Sequence, residues 1–232
     1  NLSGKYVAIK SVFHGKKTAG TQQTHAFTFS DSELSQIYEN LPKTTTGLIR
    51  VTIRTYTDSD YSSEIGSFSY KEIALAIPAS VKPTASLSIS PVNSNTWIKE
   101  QGIYVAGYSG LSAAISATAG EGASMSSYSI NGDNYSSDSS TLSVSKISKP
   151  GEIALTDKAT DSRGRYATAN KTITVQPYSI PAITSLSVVR GTYGSNWVAD
   201  DDGPDVRVSF KTSLALTGFG NNYKTGFTLN NS

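Results

Sequence analysis

The stretch Gly47-Leu48-Ile49-Arg50-Val51-Thr52-Ile53-Arg54-Thr55-Tyr56 decides the fold class. Ile49, Val51, Ile53 and Thr55 fall on one face, and Arg50, Thr52 and Arg54 on the other. A period of two with one dry and one wet side marks a strand of an antiparallel sheet lying on a core. The same alternation fits Val7/Ile9, His25/Phe27/Phe29, Leu142/Val144 and Ile173/Val175. Between Phe68/Tyr70 and Ile73/Leu75 the apolar parity slips by one, which predicts a β-bulge. Turn chemistry falls at Asp58-Ser59-Asp60, Asn131-Gly132-Asp133 and Asp161-Ser162-Arg163-Gly164. The last suits a type I turn closed by a left-handed Gly164. One helix interrupts the strands. Ser30-Asp31-Ser32-Glu33 reads as a capping box, Leu34, Ile37, Tyr38 and Leu41 follow at helical spacing, and Pro42 ends the run.

The pattern repeats along the chain. Gly47-Leu48-Ile49 returns as Gly151-Glu152-Ile153, Thr57-Asp58-Ser59 as Thr160-Asp161-Ser162, and Ile77-Pro78-Ala79 as Ile180-Pro181-Ala182, each about 103 residues on. A second series pairs Ser86-Leu87-Ser88-Ile89 with Ser185-Leu186-Ser187-Val188, and Asn95-Thr96-Trp97-Ile98 with Ser195-Asn196-Trp197-Val198. A period near 100 residues made of strands is the size of one immunoglobulin-like sandwich. Two Pro-bearing joints, Ile77 to Pro83 and Gln176 to Pro181, are short, extended and stiff. The expected architecture is therefore all-β, with tandem immunoglobulin-like or fibronectin-III-like antiparallel sandwiches and one short helix. Its expected domains are residues 1–79, 80–178 and an incomplete third at 179–232. A segment of that last size cannot close a two-sheet core, so its strands need a partner in cis or in trans.

Composition narrows the chemistry. Ser and Thr fill 62 of the 232 positions, and no Cys is present. A disulfide framework, a Cys-ligated metal and a thiol nucleophile are excluded. Basic against acidic residues number 8 to 7 in residues 1–79, 8 to 7 in 80–178 and 4 to 4 in 179–232. With no basic stripe to release counterions from a phosphate backbone, no nucleic-acid partner is expected. The longest apolar run, Ile73 to Ile77, is far short of a bilayer span, so no membrane role is expected either. The opening at Asn1 without Met reads as a processed chain or a piece of a larger one.

Candidate sites are few. His14 and His25 are the side chains that could act as a base near neutral pH. His14 reads as a solvated hairpin position and His25 as a packed or edge residue. No G-x-S-x-G elbow, P-loop or G-x-G-x-x-G pattern occurs, so no catalytic residue and no cofactor is assigned. Asp200, Asp202 and Asp205 crowd one Gly-Pro turn and could offer calcium its hard oxygen ligands. The run fails the EF-hand pattern, and a solvated turn between strands is the competing reading. Tyr104, Tyr108, Tyr128, Tyr135 and Tyr166 fall in one repeat. Tyr108 and Tyr135 are the candidates for glycan or protein contact, with Tyr135 expected exposed in a polar loop. Half-buried packing is the alternative for both.

Several of these segments resemble a family of siphovirus tail proteins of undefined function. They are Ser30 to Ile89, Gln101 to Ser109, Thr160 to Arg165 with Ala167-Thr168, and Pro181 to Arg190. The resemblance covers nearly the whole chain, and it rests on turns and joints rather than on a catalytic motif. It implies a virion component of the distal tail of a phage infecting Gram-positive bacteria, extracellular once assembled. Its partners would be other tail proteins and a host cell-wall glycan, with a trimer as the analogy for its oligomer. The function expected is a non-enzymatic structural part that spaces or presents a host-attachment module. A bacterial surface adhesin or stalk of the same modules is the alternative, and an accessory domain beside a hydrolase a third reading.

Overall fold

The computed structural model describes residues 6–13, 15, 20, 22 and 24–215, so His14 lies outside the described residues. In chain order the elements are α1 (Asp31–Glu39), β1 (Thr46–Ile53), β2 (Ser69–Ala76), β3 (Thr84–Val92), α2 (Thr96–Glu100), β4 (Tyr104–Val105), β5 (Gly110–Thr118), β6 (Met125–Gly132) and β7 (Tyr135–Ser137). There follow β8 (Thr141–Val144), β9 (Gly151–Asp161), β10 (Tyr166–Ala167), β11 (Asn170–Gln176), β12 (Ser179–Tyr193), β13 (Trp197–Ala199) and β14 (Asp205–Ala215). The chain is all-β. Its sheets run β1-β2, β3-β5-β8, β4-β11-β9-β6-β7 with β10 on β9, and β13-β12-β14. The chain divides into two compact units: Asn1–Ser88, Ala113–Leu142 and Leu155–Lys171 form one, and Ile89–Ser112, Ser143–Ala154 and Thr172–Ser232 the other.

In the first unit the helix forms where its cap requires it. The Ser30 side chain accepts from the Glu33 amide, and the Glu33 carboxylate accepts from the Ser30 amide. Ile37, Tyr38 and Leu41 are buried with Ile77, and Ile9, Phe29, Leu34, Ile49, Leu75 and Val81 pack around them. β1 and β2 pair without a break, from Thr46 opposite Ala76 to Ile53 opposite Ser69. The expected bulge is absent. The parity slip has another cause: Tyr70 lies on the wet face with Arg50, while Ile73 and Leu75 lie with Ile49. Arg50 is sandwiched between the rings of Tyr6 and Tyr70, at 3.8 and 4.2 Å, and Arg54 covers Phe68 at 4.8 Å. These aromatics serve cations on the solvent side instead of a core.

Val7/Ile9 and His25/Phe27/Phe29 are not strands, and His25 is exposed. Apolar alternation marks side chains that pack, but a strand also needs a ladder partner. Here Lys10 bonds the Thr28 carbonyl by its side chain instead. β9 carries the strictest alternation of the fold. Ile153, Leu155, Asp157, Ala159 and Asp161 are buried and the residues between them are not.

In the second unit β4 pairs in parallel with β11, Tyr104 opposite Val175. Val105, Leu111, Ile147 and Val175 are fully or almost fully buried. α2 is a second short helix that the strand reading did not anticipate; its counterpart in the repeat, Trp197-Val198, is a strand. Within residues 179–213 only Gly191 and Gly203 are buried.

Candidate functional site

Tyr108 is placed by the tight turn after β4. The amides of Tyr108 and Ser109 both donate to the Val105 carbonyl, at 3.1 and 2.9 Å. Gly107 takes φ +82, a value that only glycine adopts without strain. The buried Ser109 hydroxyl accepts from the Val105 amide and from Asn93 Nδ2, both at 2.9 Å. Held this way, Tyr108 stands half exposed, at 50%, with its ring edge-on to Tyr178 at 4.7 Å. Hydrogen bonding to Tyr108 raises the pKa of the Tyr178 hydroxyl. The two rings border an open cleft of about 380 Å³ with Gly107, Lys146, Pro150 and Pro177. Flat apolar rings, two hydroxyls and one ammonium suit a sugar ring or a short peptide lying across them.

A second arrangement ties the helix to distant turns of the same unit. The Asp161–Gly164 turn forms as expected, with the Gly164 amide on the Asp161 carbonyl at 2.9 Å and Gly164 at φ +81. Its purpose was not legible. Arg163, only 9% exposed, donates from Nη2 to the Tyr38 carbonyl at 2.7 Å, from Nε to Leu41 at 2.8 Å and from Nη1 to Glu121 at 2.6 Å. Arg165 donates to the carbonyls of Ile77, Pro78 and Val81 at 2.6, 2.5 and 2.6 Å. Ser162 donates to the Pro42 carbonyl at 2.5 Å. The turn is braced by Asp161, whose Oδ1 accepts the amides of Arg163 and Arg165, both at 3.0 Å.

Helix α1 has no basic residue in its own last turn. Arg163 supplies the missing positive charge at the carbonyl end from more than 120 residues away. Burial lowers the pKa of Arg163, and the Asp161 carboxylate opposes that shift.

The family described as siphovirus protein of unknown function (DUF859) matches residues 10–199. The chain belongs to that family. No curated protein and no solved structure matches it. In this siphovirus protein the matched region contains the helix, both arginines of the turn and the Tyr108 cleft, and it ends at Ala199, before the acidic turn.

Two carboxylates of that turn accept backbone amides, one within the turn and one at the end of β12. Asp200 Oδ1 accepts the Asp202 amide at 3.1 Å, and Asp205 Oδ2 accepts the Tyr193 amide at 2.8 Å. Among the described residues no group of three His, Cys, Asp or Glu could hold a metal ion. Tyr135 is half-buried rather than exposed, because it opens β7 opposite Gly132 and the turn sits one position later, at Asp133-Asn134. Tyr104 is buried, Tyr128 half-buried, and Tyr166 exposed under the Lys158 ammonium at 4.4 Å. The structure thus places Tyr108 beside a cleft, and leaves Tyr135 and the three aspartates as separate features of the fold.

Proposed function

We propose that this siphovirus protein is a non-enzymatic structural component of the phage tail that spaces or presents a host-attachment module. The observation that carries this reading is the turn at Asp161–Arg165. Two of its arginines make six hydrogen bonds to backbone carbonyls of the helix end, the Gly120–Gly122 turn and the Ile77–Val81 joint. Hydrogen bonds to charged donors are the strong class, and the three from Arg165 make the Ile77–Val81 joint a fixed part and not a tether, while the three from Arg163 fix the helix end and the Gly120–Gly122 turn. The buried polar side chains Ser109, Asp157, Asp161 and Arg163 all bond backbone groups, which also favours a structural role. The Tyr108 cleft is the surface assigned to weak contact with cell-wall glycan.

Two measurements test the reading. Purified phage particles labelled with antibody against this chain should carry label at the tail, and virions without it would sink the structural role. Tyr108→Ala should lower retention of the protein on purified host cell walls several-fold. Unchanged retention would leave a spacer without a glycan contact at this cleft.

A further inference from the structure

The Tyr108 cleft stands on a fixed frame. The turn that carries Tyr108 is bonded to two other segments of its unit: the Ala106 amide donates to the Gln176 carbonyl at 2.9 Å, and the Gly107 amide to the Ile147 carbonyl at 2.7 Å. The Ile147 amide donates back to the Ser109 carbonyl at 2.7 Å, and the Ile147 side chain is buried. Lys146 and Ser148 flank that anchored residue, and both line the cleft. Tyr178 follows Gln176 by two positions. Both rings and the ammonium therefore hang on backbone that is already hydrogen-bonded, as a binding site requires.

The chemistry of the lining is one-sided. The two ring planes meet at 78° and form an apolar corner. The raised pKa of Tyr178 marks its hydroxyl as the donor to Tyr108, which leaves the Tyr108 proton to a ligand. Among the described residues, Lys146 is the one charged side chain lining the cleft, and no carboxylate lines it. The ion pairs of the described residues are Lys10–Glu33, Arg50–Glu72 and Arg54–Glu64, so the Lys146 ammonium has no acidic partner among them.

We propose that the glycan taken by this cleft is anionic: a sugar or polyol unit that carries phosphate or carboxylate, its C–H face on Tyr108 and its anion on the Lys146 ammonium. This rests on the glycan reading of the cleft given above and adds the charge of the ligand. Ring stacking supplies the contact area, and the ammonium supplies the choice of charge. Lys acts as a point charge, so phosphate and carboxylate share the same recognition. An exposed pair of this kind is worth on the order of a two- to fivefold gain in binding.

The full chain titrated with glucose 1-phosphate, glucuronate and glucose, followed by NMR, tests this. At least one of the two anions should bind about two- to fivefold more tightly than glucose, and whichever binds better identifies the anion as phosphate or carboxylate. High salt should shrink the difference. Lys146→Gln should abolish it and Lys146→Arg should keep it. Lys149→Gln, outside the cleft lining, should leave it unchanged. Glucose binding as tightly as both anions, and still weakened by Tyr108→Ala, overturns the anionic ligand while the glycan reading stands. Inorganic phosphate binding as tightly as glucose 1-phosphate, and indifferent to Tyr108→Ala, also overturns it, because charge alone is then recognised. Binding of none of the three sugars overturns it too; unchanged cell-wall retention of Tyr108→Ala would then remove the glycan reading as well.

Discussion

Arg163 is the residue on which most separate segments depend. Its guanidinium satisfies three carbonyls at once, two of them near the end of α1, and the residue is almost wholly buried. Arg163→Ala would leave the Leu41 and Glu121 carbonyls without that donor, while the Tyr38 carbonyl keeps the Leu41 amide, and a buried unsatisfied group costs about 1–3 kcal/mol. The expected loss is therefore about 3 kcal/mol or more, read from urea unfolding; a loss below about 1 kcal/mol would mean that the carbonyls find water instead. Gly122 guards the same place. It sits at φ +74, and a Cβ there would lie 2.4 Å from the Tyr38 carbonyl carbon. Gly122→Ala should destabilise by more than about 1 kcal/mol, since both its backbone and its space forbid the side chain. Asp157 presents the opposite case. One oxygen accepts the Ala169 amide, while Oδ2 is buried without a partner. A buried carboxylate oxygen left without a hydrogen bond is a liability, so Asp157→Asn should keep the accepted bond and raise Tm by about 2–4 °C per kcal/mol gained. A fall in Tm at neutral pH would show that the second oxygen has a role.

At the scale of elements, α1 is the clearest case of local chemistry fixing structure. Its capping box spans four residues, so it was legible in Ser30 and Glu33 before any fold was known. The Ser30 amide and the Lys10 ammonium hold the Glu33 pKa below its ordinary value. The sign follows directly: a lowered folded pKa contributes stability above the unfolded value of about 4.3, and that contribution is lost as pH falls through the folded pKa. Asp58 behaves likewise. The Ser62 amide holds its pKa at about 2, so its share disappears between the ordinary carboxylate range and about 2. Ser30→Ala should cost about 1 kcal/mol at pH 7, while Glu33→Gln should lower Tm at pH 7 by a difference that shrinks in acid, followed between pH 7 and pH 2. An acid-independent difference would remove Glu33 from the cap.

Most strands were legible for the same local reason, but their partners were not, and Val7/Ile9 and His25/Phe27/Phe29 alternate without forming strands. The slip at Phe68/Tyr70 looked like a bulge because apolar residues were assumed to face a core, whereas Arg50 and Arg54 draw those rings to the wet side. The role of Arg163 left no mark in the sequence at all. Its partners at Tyr38 and Leu41 are backbone carbonyls, which every residue has, so no residue type flags them.

For the whole molecule, the question is how the chain's modules share stability. Residues 6–79 contain, among those described, one helix, one pair of strands and the buried cluster of Ile37, Tyr38, Leu41 and Ile77. That is a small core, and two-stranded sheets are marginal in water. The compact unit that holds it also contains Ala113–Leu142 and Leu155–Lys171. The bonds from Ser162, Arg163 and Arg165 run between these segments. If those bonds couple the segments thermodynamically, residues 1–79 have no independent transition. A fragment ending at Ala79 should then lack the cooperative melt and the near-ultraviolet signal of packed tyrosines. The fragment 1–178 should melt in one calorimetric step whose van't Hoff and calorimetric enthalpies agree. Arg163→Ala combined with Arg165→Ala should split that step in two, because it removes six bonds between segments while leaving every strand pairing intact. A fragment 1–79 that melts cooperatively on its own would instead mean that the repeat marks self-sufficient modules and that the arginine turn only orients them.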